Sequence, residues 1–159
     1  MIFITVGSQK FQFNRLLEEV DDLISLRILS GENVFAQTGY STYKPVGYAY
    51  KSFLSNEEFL EAMENSEIIV SHGGTGSLIN GIKKGIRVIG VPRKVEFGEH
   101  VDNHQVEIIK QFSNSNLILG ISNPAELKDA LIRIKTLDFK EYKSNTKNII
   151  NIIENFLAK

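Results

Sequence analysis

The segment SEIIVSHGGTGSLINGIKKGIRVIGVP, residues 66–92, most constrains the fold. An apolar run (Ile68, Ile69, Val70) enters a glycine-rich turn that begins at His72. A helical stretch starts near Ser77, and a second apolar run covers 88–91. Two short β-branched runs joined by a helix form a crossover unit, and such a connection joins parallel strands. The same alternation runs through the chain. Further strands are expected at 2–6, 34–37, 48–53 and 117–119.

Helices are expected between them. The first covers 14–26, with Leu16, Val20, Leu23 and Ile24 on one face. The second is capped by Ser55 or Asn56 and carries Phe59, Leu60 and Met63. Another carries Val106, Ile109 and Phe112 after a loop at 93–101. Asn123 caps the next, with Pro124 near its first turn and Leu127, Leu131 and Ile134 inward. A last helix is expected over about 139–158, carrying Phe139, Tyr142, Ile149, Ile153 and Phe156. This order predicts an α/β fold, a doubly wound, Rossmann-like, six-stranded parallel sheet in one domain spanning 1–159.

Composition narrows the function classes. A net charge of −1 gives no electrostatic case for nucleic acid as a partner. The chain has no cysteine, so disulfides and thiolate metal sites are excluded. No apolar run reaches the ~18 residues of a membrane span. The opening MIFITVGS reads as a strand rather than a signal peptide, so a cytoplasmic location is expected.

Ligands of such sheets bind at the carboxyl ends of the strands. The loops at 7–13, 37–47, 53–56, 72–77 and 93–105 are therefore expected to build the site, Gly7 and Ser8 among them. A turn of His72, Gly73, Gly74, Thr75, Gly76 and Ser77 can bring bare backbone N–H groups close to an anion. The following helix adds its unpaired N–H groups and the positive end of its dipole. This is chemistry for a phosphate or diphosphate. The common fingerprints fail: Gly76 is followed by Ser77 and Leu78 rather than Lys-Ser/Thr, and Ile79 stands where a dinucleotide motif has a third small residue. A tight turn that merely packs helix on sheet is the simpler alternative.

A second cluster, EFGEHVDNHQVE, is dense in hydrogen-bonding groups that suit sugar hydroxyls. His100 and His104 also stand at i, i+4, but spacing fixes no third metal ligand, and no metal is expected. Capping of the next helix by Asp102 or Asn103 is compatible with sugar contact. Lys83, Lys84, Arg87, Arg93 and Lys94 form a mild basic group whose simplest reading is a solvated face.

HGGTGS, then GIRVIGVP, then DNHQ, together with MIFITVGSQKFQFNRLLEEVD at the start, resemble family 28 glycosyltransferases of the GT-B fold. The likeness runs from Met1 to about Leu131 and is to the donor-binding C-terminal half. It is similar in particular to the small soluble subunit of split UDP-sugar transferases, eukaryotic dolichol-linked and bacterial exopolysaccharide types alike. The resemblance implies UDP diphosphate on His72 to Ser77, uracil at Phe53 and Leu54, and donor sugar at His100, Asn103 and Gln105. Many relatives carry Glu in the turn's helix for the ribose, and Asn80 stands here, a weaker partner than a carboxylate. No cofactor is implied, since the UDP-sugar is a substrate. The implied partner is a membrane-anchored, acceptor-binding subunit that brings a lipid-linked acceptor, recruits this chain to the cytoplasmic face, and supplies the base that this chain lacks. A non-catalytic nucleotide-binding module and a dinucleotide-dependent oxidoreductase are the rival readings, the latter weakened by the failed fingerprint.

Overall fold

The computed structural model describes residues 1–141. Six strands form one sheet: β1 (Ile2–Thr5), β2 (Val34–Gln37), β3 (Ala49–Lys51), β4 (Ile68–Ser71), β5 (Arg87–Gly90) and β6 (Leu119–Gly120). Their order is β3-β2-β1-β4-β5-β6, and every pairing is parallel. Among the described residues, five α-helices cover the two faces: α1 (Asn14–Ser25), α2 (Asn56–Glu64), α3 (Thr75–Lys83), α4 (His104–Asn114) and α5 (Leu127–Arg133). This is the doubly wound arrangement expected from the sequence.

Register explains why the central strands are apolar throughout. Phe3, Ile69 and Val88 lie side by side and join the core under α2, α3 and α4. Ile4, Val70 and Ile89, one residue on, join the core under α1 and α5. Alternate side chains point to opposite faces, so a sheet covered on both sides needs both sets apolar.

Boundaries moved where local hydrogen bonds decided them. The cap of α2 is Ser55, which accepts from the Glu58 N–H (3.1 Å) while Glu58 accepts from the Ser55 N–H (2.9 Å). The strand expected at 48–53 is shorter, three exposed residues at the sheet edge. That expected at 117–119 starts later, because the Leu117 N–H closes α4 on the Phe112 carbonyl. Pro124 opens a short 3-10 turn, with Asn123 accepting from the Ala125 N–H, before α5 begins. The helix expected at about 139–158 lies outside the described residues from 142 on, and 139–141 are not helical.

The basic group does not form one face. Lys83, Lys84 and Arg87 are exposed at the amino edge of β5, whereas Arg93 lies beyond its carboxyl end and is fully buried. A strand stands between the two ends, so neighbours in sequence are apart in space.

Two buried carboxylates fasten loops to α1, and of the loop expected at 37–47 to build the site only Gln37 lines the cleft. Glu99 is fully buried and pairs with Arg15 through two bonds of 2.7 and 2.8 Å, while the Arg15 guanidinium lies 3.9 Å over the Phe97 ring. Glu99 also accepts from the Lys94 N–H, so the β5–α4 loop is held at both ends. Asp21 accepts from the N–H groups of Val46 and Gly47 and from the Tyr43 hydroxyl, which pins the β2–β3 loop. Breaking the first clamp leaves a buried carboxylate unpaired, so Arg15→Met is expected to cost about 3 kcal/mol in denaturant unfolding. Lys51→Met, which removes the exposed pair to Glu58, is expected to leave the unfolding midpoint nearly unchanged. Equal costs for the two would contradict this assignment.

Candidate functional site

The strand order reverses between β1 and β4, which are adjacent in the sheet but far apart in sequence. The loops leaving their carboxyl ends diverge to opposite faces and leave a crevice, the usual ligand position in such folds. A cleft of about 550 Å³ opens there, lined by the Gly7–Gln9 loop, the glycine turn, the start of α2 and the start of α4. A second hollow of about 590 Å³, bordered by Gly85, Arg87 and Leu117, lies at the opposite, amino edge of the strands. The topology favours the first as the ligand site.

The glycine turn is built around two constraints. Gly73 has φ +91°, a conformation that a side chain strongly disfavours, and this reverses the chain directly after β4. Gly74, in extended conformation, is the N-cap residue of α3. The helix therefore begins at Thr75, two residues earlier than the sequence suggests, and no side chain caps it. Thr75, Gly76 and Ser77 form the first turn, so their N–H groups have no partner within the helix. The Ser77 hydroxyl donates to the Gly74 carbonyl (2.9 Å) and lies 2.6 Å from the Ser71 hydroxyl. That side chain holds the turn together, and what Ser77 offers a ligand is its backbone N–H.

His72 is the wedge between the two glycine loops. Its Nδ1 lies 3.2 Å from the Thr5 carbonyl. A carbonyl only accepts, so Nδ1 carries the proton and Nε2 carries the lone pair. A Cβ on Gly7 or on Gly74 would stand 2.5 Å from that Nε2, so neither loop can carry a side chain there while the ring keeps its place. Burial, and then the charge of Arg93, push the imidazole pKa down to about 3. His72 is thus neutral near pH 7 and too weak a base to take a proton from a hydroxyl efficiently.

The predicted site residues divide. Gly7, Ser8, Leu54, His72 to Ser77, Asn80, His100 and Gln105 all line the cleft. Phe53 is not in its wall: its ring is exposed and meets Tyr40 edge to face at 5.0 Å. Asn103 is also outside the lining, its side-chain oxygen accepting from the Val95 N–H (3.1 Å). Asn103 is the N-cap residue of α4, but Asp102 is the one that accepts from the His104 N–H (2.9 Å). Gln105 is buried, and its Oε1 accepts from the Arg93 N–H. The amide orientation is thereby fixed, leaving the Nε2 donors for the cleft.

His100 bridges two loops. Its Nδ1 lies 3.1 Å from Asp102 and its Nε2 3.2 Å from Gln9, while its ring packs against Phe11. Thr5, Gln9 and Gln37 also line the cleft, and none of the three stands out as a site residue in the sequence, although Gln9 and Gln37 fall in loops expected there. Thr5 and Gln37 are buried at the ends of paired strands, and the Thr5 hydroxyl donates to Gln37 Oε1 (3.0 Å). A polar residue closing each of two otherwise apolar strands is the signal that marks them.

Comparison with known proteins agrees with this geometry. Residues 1–157 match the glycosyltransferase family 28 C-terminal domain. The chain is 29% identical over 136 residues to the Candida glabrata UDP-N-acetylglucosamine transferase subunit ALG13, a match covering 83% of this chain and 64% of that protein. Its likeness to the Homo sapiens subunit of the same name is 25% over 116 residues, covering 69% of this chain and 10% of that protein. Among solved structures, the calicheamicin glycosyltransferase CalG4 superposes with a TM-score of 0.59 at 12% identity, covering 83% of this chain and 34% of that one. Acinetobacter baumannii MurG gives 0.55 at 17% identity, covering 84% and 42%. The fold is thus shared with part of much longer glycosyltransferase chains, the half of a GT-B fold that the motifs implied. With nearly its whole length matched to one domain, the chain belongs to the glycosyltransferase family 28 C-terminal domain family.

Proposed function

We propose that this chain is the UDP-sugar donor-binding subunit of a two-component inverting glycosyltransferase that acts on a lipid-linked acceptor in polysaccharide or exopolysaccharide biosynthesis. The observation that carries the reading is the uncapped start of α3, whose N–H groups open on the cleft at the strand-order switch of a family 28 domain. Helix N-termini of this kind bind diphosphates through backbone N–H groups and dipole. In this reading Gly73 to Ser77 hold the diphosphate, Leu54 and its neighbours on the β3–α2 loop hold uracil, and Asn80 meets the ribose. His100 and Gln105 then face the donor sugar. The subunit names of the Candida glabrata and human relatives support a UDP-sugar donor and a second polypeptide.

The chemistry divides accordingly. Transfer with inversion needs a base on the acceptor hydroxyl and stabilisation of the departing UDP. The α3 N-terminus supplies the second. The base and the acceptor site belong to a membrane-anchored partner, which recruits this cytoplasmic subunit to the membrane surface. No metal or cofactor enters the scheme.

Two measurements test the reading. A Cβ on Gly76 meets no atom within 4 Å, so Gly76→Val should fold while placing bulk over the anion site. Calorimetry with UDP is expected to show an affinity loss of ~10-fold or more, about 1.4 kcal/mol, and an unchanged affinity would remove the site. Sugar transfer to a lipid-linked acceptor is expected only when the membrane partner is added. Robust transfer by the purified chain alone would contradict the two-component scheme.

A further inference from the structure

Arg93 is an unusual group for a protein interior. It follows β5, its side chain is 0% exposed, and its Nη2 donates to the Val6 carbonyl. Its Nε and Nη1 are sealed from solvent and have no hydrogen-bond partner. A buried guanidinium ordinarily has its N–H groups engaged and a carboxylate beside it, because an unmatched buried charge is costly. Glu99 favours the Arg93 cation electrostatically, but both its oxygens are bonded to Arg15 and one also to the Lys94 N–H. Arg15, Glu99 and Arg93 together carry one net positive charge.

That charge lies close enough to the cleft to act on His72. Val6, which accepts from Arg93, is followed by Gly7, and Gly7 and Gly74 both pack against the His72 ring. His72 adds no second charge, since burial and Arg93 itself hold it neutral. The backbone of Arg93 is tied to Gln105, which lines the same cleft. From this arrangement we infer that Arg93 is the buried counter-charge for the diphosphate of the donor, acting through the wall formed by Gly7 and His72 without touching the ligand. The inference rests on the UDP-site reading and extends it: the residue makes the site selective for the charged nucleotide over the neutral nucleoside. Its field also favours the negative charge that gathers on UDP as the sugar leaves. Arg93 is a positioning group in this role, not a catalytic one.

The test compares UDP with uridine on wild-type protein, Arg93→Gln and Arg93→Lys, by calorimetry for the nucleotide and NMR titration for the nucleoside. Arg93→Gln is expected to weaken UDP ~10-fold and leave uridine within about 2-fold, with Arg93→Lys recovering part of the UDP loss. Equal loss for both ligands would show a merely structural residue, and unchanged UDP affinity would remove the inference while leaving the site. Wild-type protein that fails to bind UDP would instead remove the site reading itself. Should Arg93→Gln not fold, a salt series on the wild type decides. A buried charge is little screened, so UDP affinity should fall less than about 3-fold between 0.05 and 0.5 M salt. A steep fall would contradict a buried counter-charge.

Discussion

The adjacency of β1 and β4 is the constraint on which the site depends. Thr5 stands beside Ser71, so the loops that leave the two strands start side by side. The Thr5 carbonyl then accepts both the backbone N–H of His72 (3.1 Å) and its ring Nδ1. Those two bonds set the imidazole against Gly7 and Gly74, and the turn can then deliver the chain into α3 with its first N–H groups bare. A ligand meets a surface whose donors are fixed by the fold, so little ordering cost falls on binding.

Polar bonds fasten the loops at these strand ends to α1 and to one another. Glu99 and Arg15 hold the β5–α4 loop to α1, and His100 with Gln9 joins that loop to the one after β1. Asp21 does the same for the β2–β3 loop. Loops on the surface are otherwise the mobile part of a domain, and each clamp exchanges some of that freedom for position. A single set of strand ends thus carries an uncapped helix terminus and a neutral imidazole in one cleft, with a buried guanidinium outside its lining.

Much of this was legible in the sequence, because its signals are local. Strand, glycine turn and helix at 66–92 follow from apolar runs, glycine and spacing, and a cap at Ser55 or Asn56 is legible too, the Glu58 bonds of the structure choosing Ser55. What was not legible depends on tertiary placement. Charged side chains are ordinarily exposed, so in sequence Arg93 reads like Lys83 and Arg87, and nothing local says that it turns inward toward Val6. Phe53 and Asn103 have the right chemistry and the right loops, but their side chains pack on Tyr40 and bond Val95, which depends on loop conformation. Thr5 and Gln37 end apolar strands and gain their meaning only from pairing with one another.

The most direct test of the central claim is an amide chemical-shift map of the isotopically labelled chain titrated with UDP. The largest shifts are expected on the N–H groups of Gly73 to Ser77, with smaller ones at Gly7 to Gln9 and Leu54 to Asn56. Shifts concentrated at the amino edge of the sheet, around Gly85, Arg87 and Leu117, would contradict that claim, as would the absence of any shift in the glycine turn at saturating UDP.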